Sequence, residues 1–287
     1  MMVRSNSETM PARPRFNWWD FFRRAGWLES VGIVGLLVVT AVAVLAPWIT
    51  PFDPQLRVAA AYQPPSAGHW FGTDEIGRDL LSRVILGVQY TWLPGLAVIG
   101  FGLAVGTMLG LVSGLMGGKV DLVIVRIIDL FFVFPSTLIA LAVVASLGPG
   151  LVNTMIALAV FWWPWYARMT RDETRRLKAL PQFEAARISR VRGPRLVWRY
   201  VLPGVTPALL IGASLDVANV IMTLALMSFL GLGLPAPAPE LGAMTSRTLD
   251  SLTVHWWLPI LPAAVIFLLC LLANLAGDGV RAALRGA

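Results

Sequence analysis

Six long apolar runs constrain this chain more than any other feature of its sequence. Each run is close to the ~20 residues that an α-helix needs to cross a bilayer. The composition agrees, because 57% of the 287 residues are hydrophobic and only 14% are charged, whereas about a quarter of a soluble domain is charged. We therefore expect an all-α membrane protein. Its predicted spans are 31–49, 93–116, 122–147, 151–167, 207–232 and 257–275.

Lysine and arginine residues are distributed very unevenly between the segments that flank these runs. Of the 23 cationic residues, nineteen fall on the side of the N-terminus and four on the other side. Cytoplasmic segments carry the excess of lysine and arginine in membrane proteins, so we expect both termini in the cytoplasm. The segments 50–91 and 233–256 are then extracytoplasmic, and the basic segment 169–201 is cytoplasmic.

Residues 1–30 precede the first apolar run and differ from it in composition. The stretch NWWDFFRR, from Asn17 to Arg24, combines four aromatic side chains with two arginines. Such a mixture is typical of a short helix that lies at the cytoplasmic membrane surface. We therefore expect a cytoplasmic N-terminal segment at 1–30, followed by one transmembrane domain at 31–287.

The sequence offers few groups for catalysis or metal binding. Its two histidines, His69 and His255, form no metal-ligand motif, and the lone cysteine, Cys270, lies inside an apolar run. The stretch GLMGGKV differs from a phosphate-binding loop, because Val120 stands where that loop needs serine or threonine. We therefore expect no catalytic residues, no metal site and no cofactor bound by this chain itself.

Three charged residues fall inside the predicted third and fifth spans. Arg126 and Asp129 are three residues apart, so they share a helix face and we expect a structural ion pair. Asp216 lies well inside the fifth span and has no partner nearby in sequence. A lone carboxylate there is costly unless it faces a cavity or is paired. A place in a translocation pathway and a structural hydrogen-bonding role are both open for Asp216.

A basic segment between the fourth and fifth runs has the pattern of a short cytoplasmic helix. Its sequence is PQFEAARISRVRGPRLVWRYVLP, from Pro181 to Pro203. Proline is favoured in the first helical turn, and an acidic residue such as Glu184 is favoured near a helix N-terminus. Ala185 and Ala186 are small, so a partner surface can approach them closely.

The arginines of this segment suit a partner with an acidic surface. Arg187 and Arg190 are about one helical turn apart and share a basic face. Gly193, followed by proline, is typical of a helix end. The alternative is an amphipathic loop that lies on lipid and merely satisfies the positive bias of cytoplasmic segments.

The same segment resembles the EAA loop of ABC importer permeases. In that loop Glu-Ala-Ala is followed at a fixed distance by an aliphatic residue, leucine and proline, as at 184–186 and 201–203 here. Arg190 occupies the place of the family's usual glycine, and Gly193 comes three residues later. We therefore expect the coupling helix to run almost one turn longer than is usual in the family.

Five further stretches narrow the resemblance to the dipeptide/oligopeptide/nickel importer permeases, and to the shorter of their two permease types. HWFGTDEIGRDLLSRVILG, from His69 to Gly87, is similar to the family signature ahead of the second span. FWWPWYARMTR, SFLGLG, PELGAM and NLAGDGVR are similar to its later landmarks. The signature positions are Gly72, Thr73, Asp74, Gly77, Arg78 and Asp79.

The resemblance implies a type I ABC importer permease fold, with a coupling helix between spans 4 and 5. It also implies partners: a second homologous permease, two cytoplasmic ATPases that bind ATP and Mg²⁺, and an extracytoplasmic substrate-binding protein. The chain itself would contact membrane lipid and no nucleic acid, in the bacterial inner membrane. Small residues between Val98 and Gly114 then predict helix contacts that are close and that shift during transport.

Two other classes of protein compete with this interpretation. An ion-coupled secondary carrier working through Asp216 leaves the basic helix unexplained and shows none of the internal inverted repeats of many carriers. An intramembrane enzyme needs a nucleophile, base or metal set that the sequence lacks. Among importers, di- and oligopeptides are the expected substrates, and nickel or another small solute is the alternative.

Overall fold

The computed structural model describes residues 26–133, 135–189, 191 and 193–285. The expected all-α class is confirmed, since the β-type pairing in these ranges is one isolated bridge between Thr73 and Asp79. The interfacial helix predicted around NWWDFFRR lies outside the described residues. The helices are α1 (Trp27–Ile49), α2 (Leu80–Met116), α3 (Gly118–Val133), α4 (Ser136–Leu147), α5 (Leu151–Lys178), α6 (Pro181–Ile188), α7 (Pro194–Phe229), α8 (Leu241–Arg247) and α9 (Trp257–Arg285).

Four of the described helices are long and apolar enough to cross a membrane, namely α1, α2, α7 and α9. The pair α3 and α4 makes a fifth candidate if it is counted as one broken span. The structure therefore supports four or five of the six predicted spans. The fourth prediction, 151–167, corresponds to the apolar first part of α5, which continues into charged turns up to Lys178.

The second span begins much earlier than predicted. α2 starts at Leu80 and has 37 residues, so the loop predicted at 50–91 ends at Asp79. The carboxylate of Asp79 caps the helix by accepting a hydrogen bond from the Ser82 backbone N–H at 2.8 Å. The first turns of α2 contain polar residues, which is why hydropathy alone placed its start at residue 93.

The predicted loop 169–201 is mostly helical. α5 reaches Lys178, α6 follows after two residues, and α7 begins at Pro194 with a π-helical turn at Val197–Val201. The loop predicted at 233–256 likewise contains α8. Polar helices such as these carry no apolar run, so the hydropathy pattern did not reveal them.

The third predicted span is not a single helix. α3 and α4 are bent by 84° relative to each other. Pro135 stands at the N-cap of α4, and a proline disfavours the helical conformation of the residue before it. The span predicted at 122–147 is therefore a candidate only as a broken span of two helices.

The pair of α2 and α5 forms the most extensive helix contact in the described chain. Glycines on α2 bring the two backbones together, because a Cβ atom at Gly106 would lie 2.6 Å from the Trp163 carbonyl oxygen. A Cβ atom at Gly110 would lie 2.5 Å from the Ala167 carbonyl oxygen. α9 packs against α7 and α1, and both of these helices also contact α2.

Candidate functional site

A short helix at the end of α5 carries the Glu-Ala-Ala motif. α6 has eight residues, and only Ala179 and Leu180 separate it from Lys178, the last residue of α5. The Leu180 carbonyl oxygen accepts a hydrogen bond from the Phe183 N–H at 3.0 Å. Glu184 lies in the first turn, where its charge is favourable to the helix dipole. α6 is therefore attached directly to α5.

The two faces of α6 differ in exposure. Phe183 and Ala186 are buried, with 6% and 5% of their surface exposed, whereas Glu184 and Ala185 are exposed and Ile188 is 82% exposed. Ala186 was predicted to lie on the partner-facing side beside Ala185, and this prediction is wrong. Residues three apart share a helix face, so Ala186 follows Phe183 toward the interior. An exposed isoleucine beside Glu184 and Ala185 suits a surface that a partner covers.

α6 ends at Ile188, so the longer helix expected from the missing family glycine is wrong. The Val191 N–H donates to the Ala186 carbonyl oxygen at 3.1 Å and closes the helix end. Gly193 has a φ of 60°, which favours glycine, and the next helix begins at the following residue. Two predicted basic groups lie outside what the structure describes, namely Arg190 and the side chain of Arg187.

Asp216 lies about halfway along α7 and accepts hydrogen bonds from three neutral side chains. The indole N–H of Trp162 donates to Oδ2, and the hydroxyl of Tyr166 donates to the same oxygen at 2.9 Å. The side-chain amide of Asn219 donates to Oδ1 at 3.3 Å. Because these donors carry no charge, they stabilise the carboxylate without neutralising it.

A cavity of about 810 Å³ opens beside Asp216, between α3, α5, α7 and α9. Aromatic side chains make up much of its wall, and its charged or amide side chains are Asp216, Asn219 and Arg281. Its volume lies within the range of about 300–1,000 Å³ that small-molecule sites occupy. Asp216 is therefore hydrogen-bonded and also lines a cavity, and its place in a translocation pathway stays a prediction.

Asp129 binds Arg168 of α5 and not Arg126. Arg168 Nη2 donates to Asp129 Oδ1 at 2.5 Å, and the same guanidinium lies 4.4 Å from the centre of the Phe132 ring. Arg126 is exposed. The predicted ion pair between Arg126 and Asp129 is therefore wrong. Packing of α3 on α5 places Arg168, and not Arg126, within hydrogen-bonding distance of Asp129.

The signature residues before α2 form a compact buried turn. The Asp74 carboxylate accepts backbone hydrogen bonds from Gly77 at 3.0 Å and Arg78 at 2.9 Å, and it pairs with Arg78 Nε at 2.5 Å. The backbone of Gly72 and of Gly77 has φ of 76° and 93°, which favours glycine. A Cβ atom at Gly77 would also lie 2.2 Å from the Ala59 carbonyl oxygen. These positions therefore shape the loop.

Two other signature residues connect the loop to its surroundings. The Thr73 hydroxyl donates to the Ala60 carbonyl oxygen at 2.7 Å. Asp79, which caps α2, also lies 2.9 Å from His69 Nδ1. The signature thus holds the segment before α2 against the first turn of that helix, which is a structural role.

Sequence analysis missed Glu240, a buried carboxylate at the start of α8. It accepts hydrogen bonds from the Ala243 N–H at 2.9 Å and from the Thr91 hydroxyl at 3.3 Å. Burial raises the pKa of the Glu240 carboxyl. Negative charge is favourable at a helix N-terminus, so the position of Glu240 just before α8 is consistent with its acidic side chain.

Asp121 was also missed. Its carboxylate accepts hydrogen bonds from Arg171 Nε at 2.5 Å and from Arg171 Nη2 at 2.9 Å. The Ser113 hydroxyl donates to the same carboxylate at 2.5 Å. Fifty residues separate Asp121 from Arg171, so no local pattern in the sequence pointed to this cluster.

Comparison with known proteins decides the family. Residues 106–286, well over half of the chain, match the family described as binding-protein-dependent transport system inner membrane component. The chain belongs to this family. Residues 17–65 of this inner membrane component also match the N-terminal TM domain of oligopeptide transport permease C. It is accordingly a multi-pass protein of the bacterial inner membrane.

Several relatives of this inner membrane component are permeases of peptide transport systems. It is 36% identical over 255 residues to a probable D,D-dipeptide transport system permease protein, DdpC, of Escherichia coli, covering 88% of this chain and 86% of that one. It is 36% identical over 282 residues to the dipeptide transport system permease protein DppC of Haemophilus influenzae, covering 96% and 95%. It is 35% identical over 285 residues to the glutathione transport system permease protein GsiD of Pectobacterium atrosepticum, covering 99% and 93%.

A solved structure shares the fold. A chain of the MetNI methionine ABC transporter, in an inward-facing conformation, matches with a TM-score of 0.57 and 20% identity. The match covers 70% of this chain and 96% of that chain. The chain therefore shares its helical fold with that chain of the MetNI transporter.

Proposed function

We propose that this inner membrane component is one of two permease subunits of an ATP-driven importer and forms half of its pathway. The observation that carries the proposal is α6, which presents Glu184 and Ala185 on the surface at the end of α5 in a member of a binding-protein-dependent transport family. Seated in a groove of an ATPase, such a helix follows the rigid-body closure of that subunit.

The proposed substrates are di- and oligopeptides. The names of the relatives support this choice, since DdpC and DppC belong to dipeptide transport systems. Nickel or another small solute is the alternative. Competition of unlabelled dipeptides and of Ni²⁺ against uptake of a labelled dipeptide distinguishes the two.

The complete importer contains a second homologous permease, two cytoplasmic ATPases and an extracytoplasmic substrate-binding protein. ATP and Mg²⁺ bind to the ATPases, and this chain binds no cofactor and is not itself an enzyme. It contacts lipid and takes no part in nucleic-acid binding. Membership of a family of binding-protein-dependent transport components supports this set of partners.

The proposed topology has residues 1–30 and both termini in the cytoplasm, and the transmembrane domain at 31–287. We expect a cysteine in place of Ala67 to react with an impermeant thiol reagent in spheroplasts, and one in place of Ala179 to react only in opened membranes. Both positions are exposed, and a Cys270→Ser background removes the buried native thiol. The reverse labelling pattern would put α6 outside the cytoplasm and exclude its contact with ATPases.

Asp216 is proposed to contribute its charge to the translocation pathway. We expect both Asp216→Asn and Asp216→Leu to lose most peptide uptake while the ATPases still co-purify. The leucine variant also leaves the Trp162 and Tyr166 donors unpaired, at a cost of about 1–3 kcal/mol for each buried donor. Uptake into membrane vesicles is the measurement.

Thr223→Val is the control for these variants, because the Thr223 hydroxyl donates a hydrogen bond within its own helix, to the Asn219 carbonyl oxygen at 2.7 Å. Near-normal uptake by Asp216→Asn would show that transport does not need the charge of Asp216 and that only its hydrogen bonds matter. Full uptake by Asp216→Leu would remove it from the pathway altogether.

A further inference from the structure

The cytoplasmic end of α2 is joined to α5 by a cluster of partly buried charges. Asp121, in the first turn of α3, binds Arg171 through both carboxylate oxygens and also accepts a hydrogen bond from Ser113. Asp121 is 9% exposed, and the Arg171 side chain is 16% exposed. A two-point contact between a guanidinium and a carboxylate fixes orientation as well as distance.

Lys178 makes a second connection at the same end. Its ammonium group donates to the carbonyl oxygens of Gly114 and Leu115, each at 3.0 Å. These carbonyls belong to the last turn of α2, where helical oxygens lack partners within the helix. The last turn of α5 is therefore fastened to the last turn of α2, three residues before α6 begins at Pro181.

The two helices are also packed closely along the part of α2 that precedes this cluster. A Cβ atom at Gly114 would lie 2.7 Å from the Thr174 Cβ atom, and one at Gly106 would lie 2.6 Å from the Tyr166 Cβ atom. Contacts this close, combined with an orienting ion pair, hold the two helices in one register. The sequence analysis predicted that helix contacts along this stretch of α2 shift during transport. The close packing against α5 argues against such a shift between α2 and α5.

α2 also reaches the opposite side of the molecule. Its 37 residues span about 55 Å at 1.5 Å per residue. Near its other end, Thr91 contacts Glu240 of α8, and Arg83 donates to the carbonyl oxygen of Pro54 at 2.9 Å. A displacement of α6 is thus passed to the signature loop and α8 along α2, which is one continuous helix that includes Pro94.

We propose that Asp121, Arg171 and Lys178 form a clasp that makes α2, the start of α3 and α5 one rigid lever for the coupling helix. The three side chains are positioning residues, since they act by joining α2, α3 and α5 to one another. The proposal rests on the proposed function, because a lever needs an ATPase to move it. Through the clasp, closure of the ATPases shifts α2 and the loops at its far end together with α5.

Asp121→Asn tests the clasp, because it keeps the size of the side chain and removes the charge that holds Arg171. In the purified complex we expect basal ATP hydrolysis and ATPase co-purification to be retained. Stimulation of hydrolysis by peptide-loaded binding protein should fall about fivefold or more, and peptide transported per ATP should fall with it. Arg171→Lys, which retains the charge but not the two-point contact, should give an intermediate loss.

Arg176→Gln is the matched control, because it breaks an exposed pair with Glu173 on the same helix. Such surface pairs contribute little, and we expect normal stimulation. If Asp121→Asn lowers thermal stability but stimulation stays at the wild-type level, the cluster only stabilises the fold and the proposal is wrong. If Asp121→Asn does not assemble, the same comparison is made with Arg171→Lys, and wild-type stimulation in that variant overturns the proposal.

The double variant Asp121→Asn/Arg171→Gln separates coupling from general damage. Partners in one clasp give losses that do not add, so the double variant should lose no more stimulation than Asp121→Asn alone. Additive losses would contradict a shared role. A wild-type complex that shows no stimulation by loaded binding protein would instead contradict the proposed function, and the two failures are thereby distinguished.

Discussion

Gly106→Leu is expected to abolish accumulation of the protein in the membrane. The leucine Cβ atom would meet the Trp163 carbonyl oxygen and the Tyr166 Cβ atom at 2.6 Å and the Ala167 nitrogen at 2.9 Å. Two of these are backbone atoms and the third is bonded directly to the backbone, so α2 and α5 would have to separate along their main contact. Overpacking of a close-packed interior costs typically about 1–3 kcal/mol, and a side chain forced between two helix backbones costs more.

Gly100→Leu is the matched control on the same helix. A Cβ atom at Gly100 meets nothing within 4 Å, and an exposed leucine on a membrane helix is favourable in lipid. The measurements are the amount of each variant in membranes and its melting temperature in detergent. If Gly106→Leu accumulates and melts like Gly100→Leu, α2 and α5 do not pack as described.

The second large effect is expected from Ala185→Trp. Ala185 is on the exposed face of α6 beside Glu184, so a tryptophan occupies space that a docked ATPase needs. We expect co-purification of the ATPases and substrate-stimulated hydrolysis to fall by about tenfold or more, which corresponds to roughly 1.4 kcal/mol of lost docking free energy. The amount of the permease in the membrane should not change.

Three further variants on α6 separate docking from folding. Ala185→Ser keeps the side chain small and should behave as wild type. Ala186→Trp should lower the melting temperature, since Ala186 is only 5% exposed and the added bulk has to displace the interior. Glu184→Ala should have a small effect, because an exposed charge at a helix terminus contributes about 0.3–1 kcal/mol. Normal ATPase binding by Ala185→Trp would show that the exposed face of α6 does not dock to the ATPase. The segment would then be only a basic surface segment.

The apolar runs predicted the four or five candidate membrane helices, but not where those helices end. Hydropathy detects the part of a helix that lies in lipid, and α2 begins thirteen residues before the predicted start, at Leu80. α5 likewise continues through charged turns to Lys178. Caps such as Asp79 set these ends, and they are recognised with certainty only once their backbone partners are known.

The candidate site was predicted in part. The existence of α6 followed from Pro181 and the Glu-Ala-Ala motif, and the inward direction of Ala186 was available from its spacing to Phe183. The sequence could not predict the partners of Asp129 and Asp216. Arg168, which binds Asp129, and the Trp162 and Tyr166 donors to Asp216 all lie on another helix, α5. Pairing between helices depends on how they pack, which a single sequence does not contain.

Transport by the reconstituted complex tests the central claim most directly. Proteoliposomes would contain both permeases and the ATPases, with ATP and Mg²⁺ on the ATPase side and binding protein with a labelled dipeptide on the other. We expect the dipeptide to accumulate only when both ATP and binding protein are present, and to fail to accumulate with Ala185→Trp. Accumulation without ATP, driven by an imposed ion gradient, would contradict the account and favour an ion-coupled carrier.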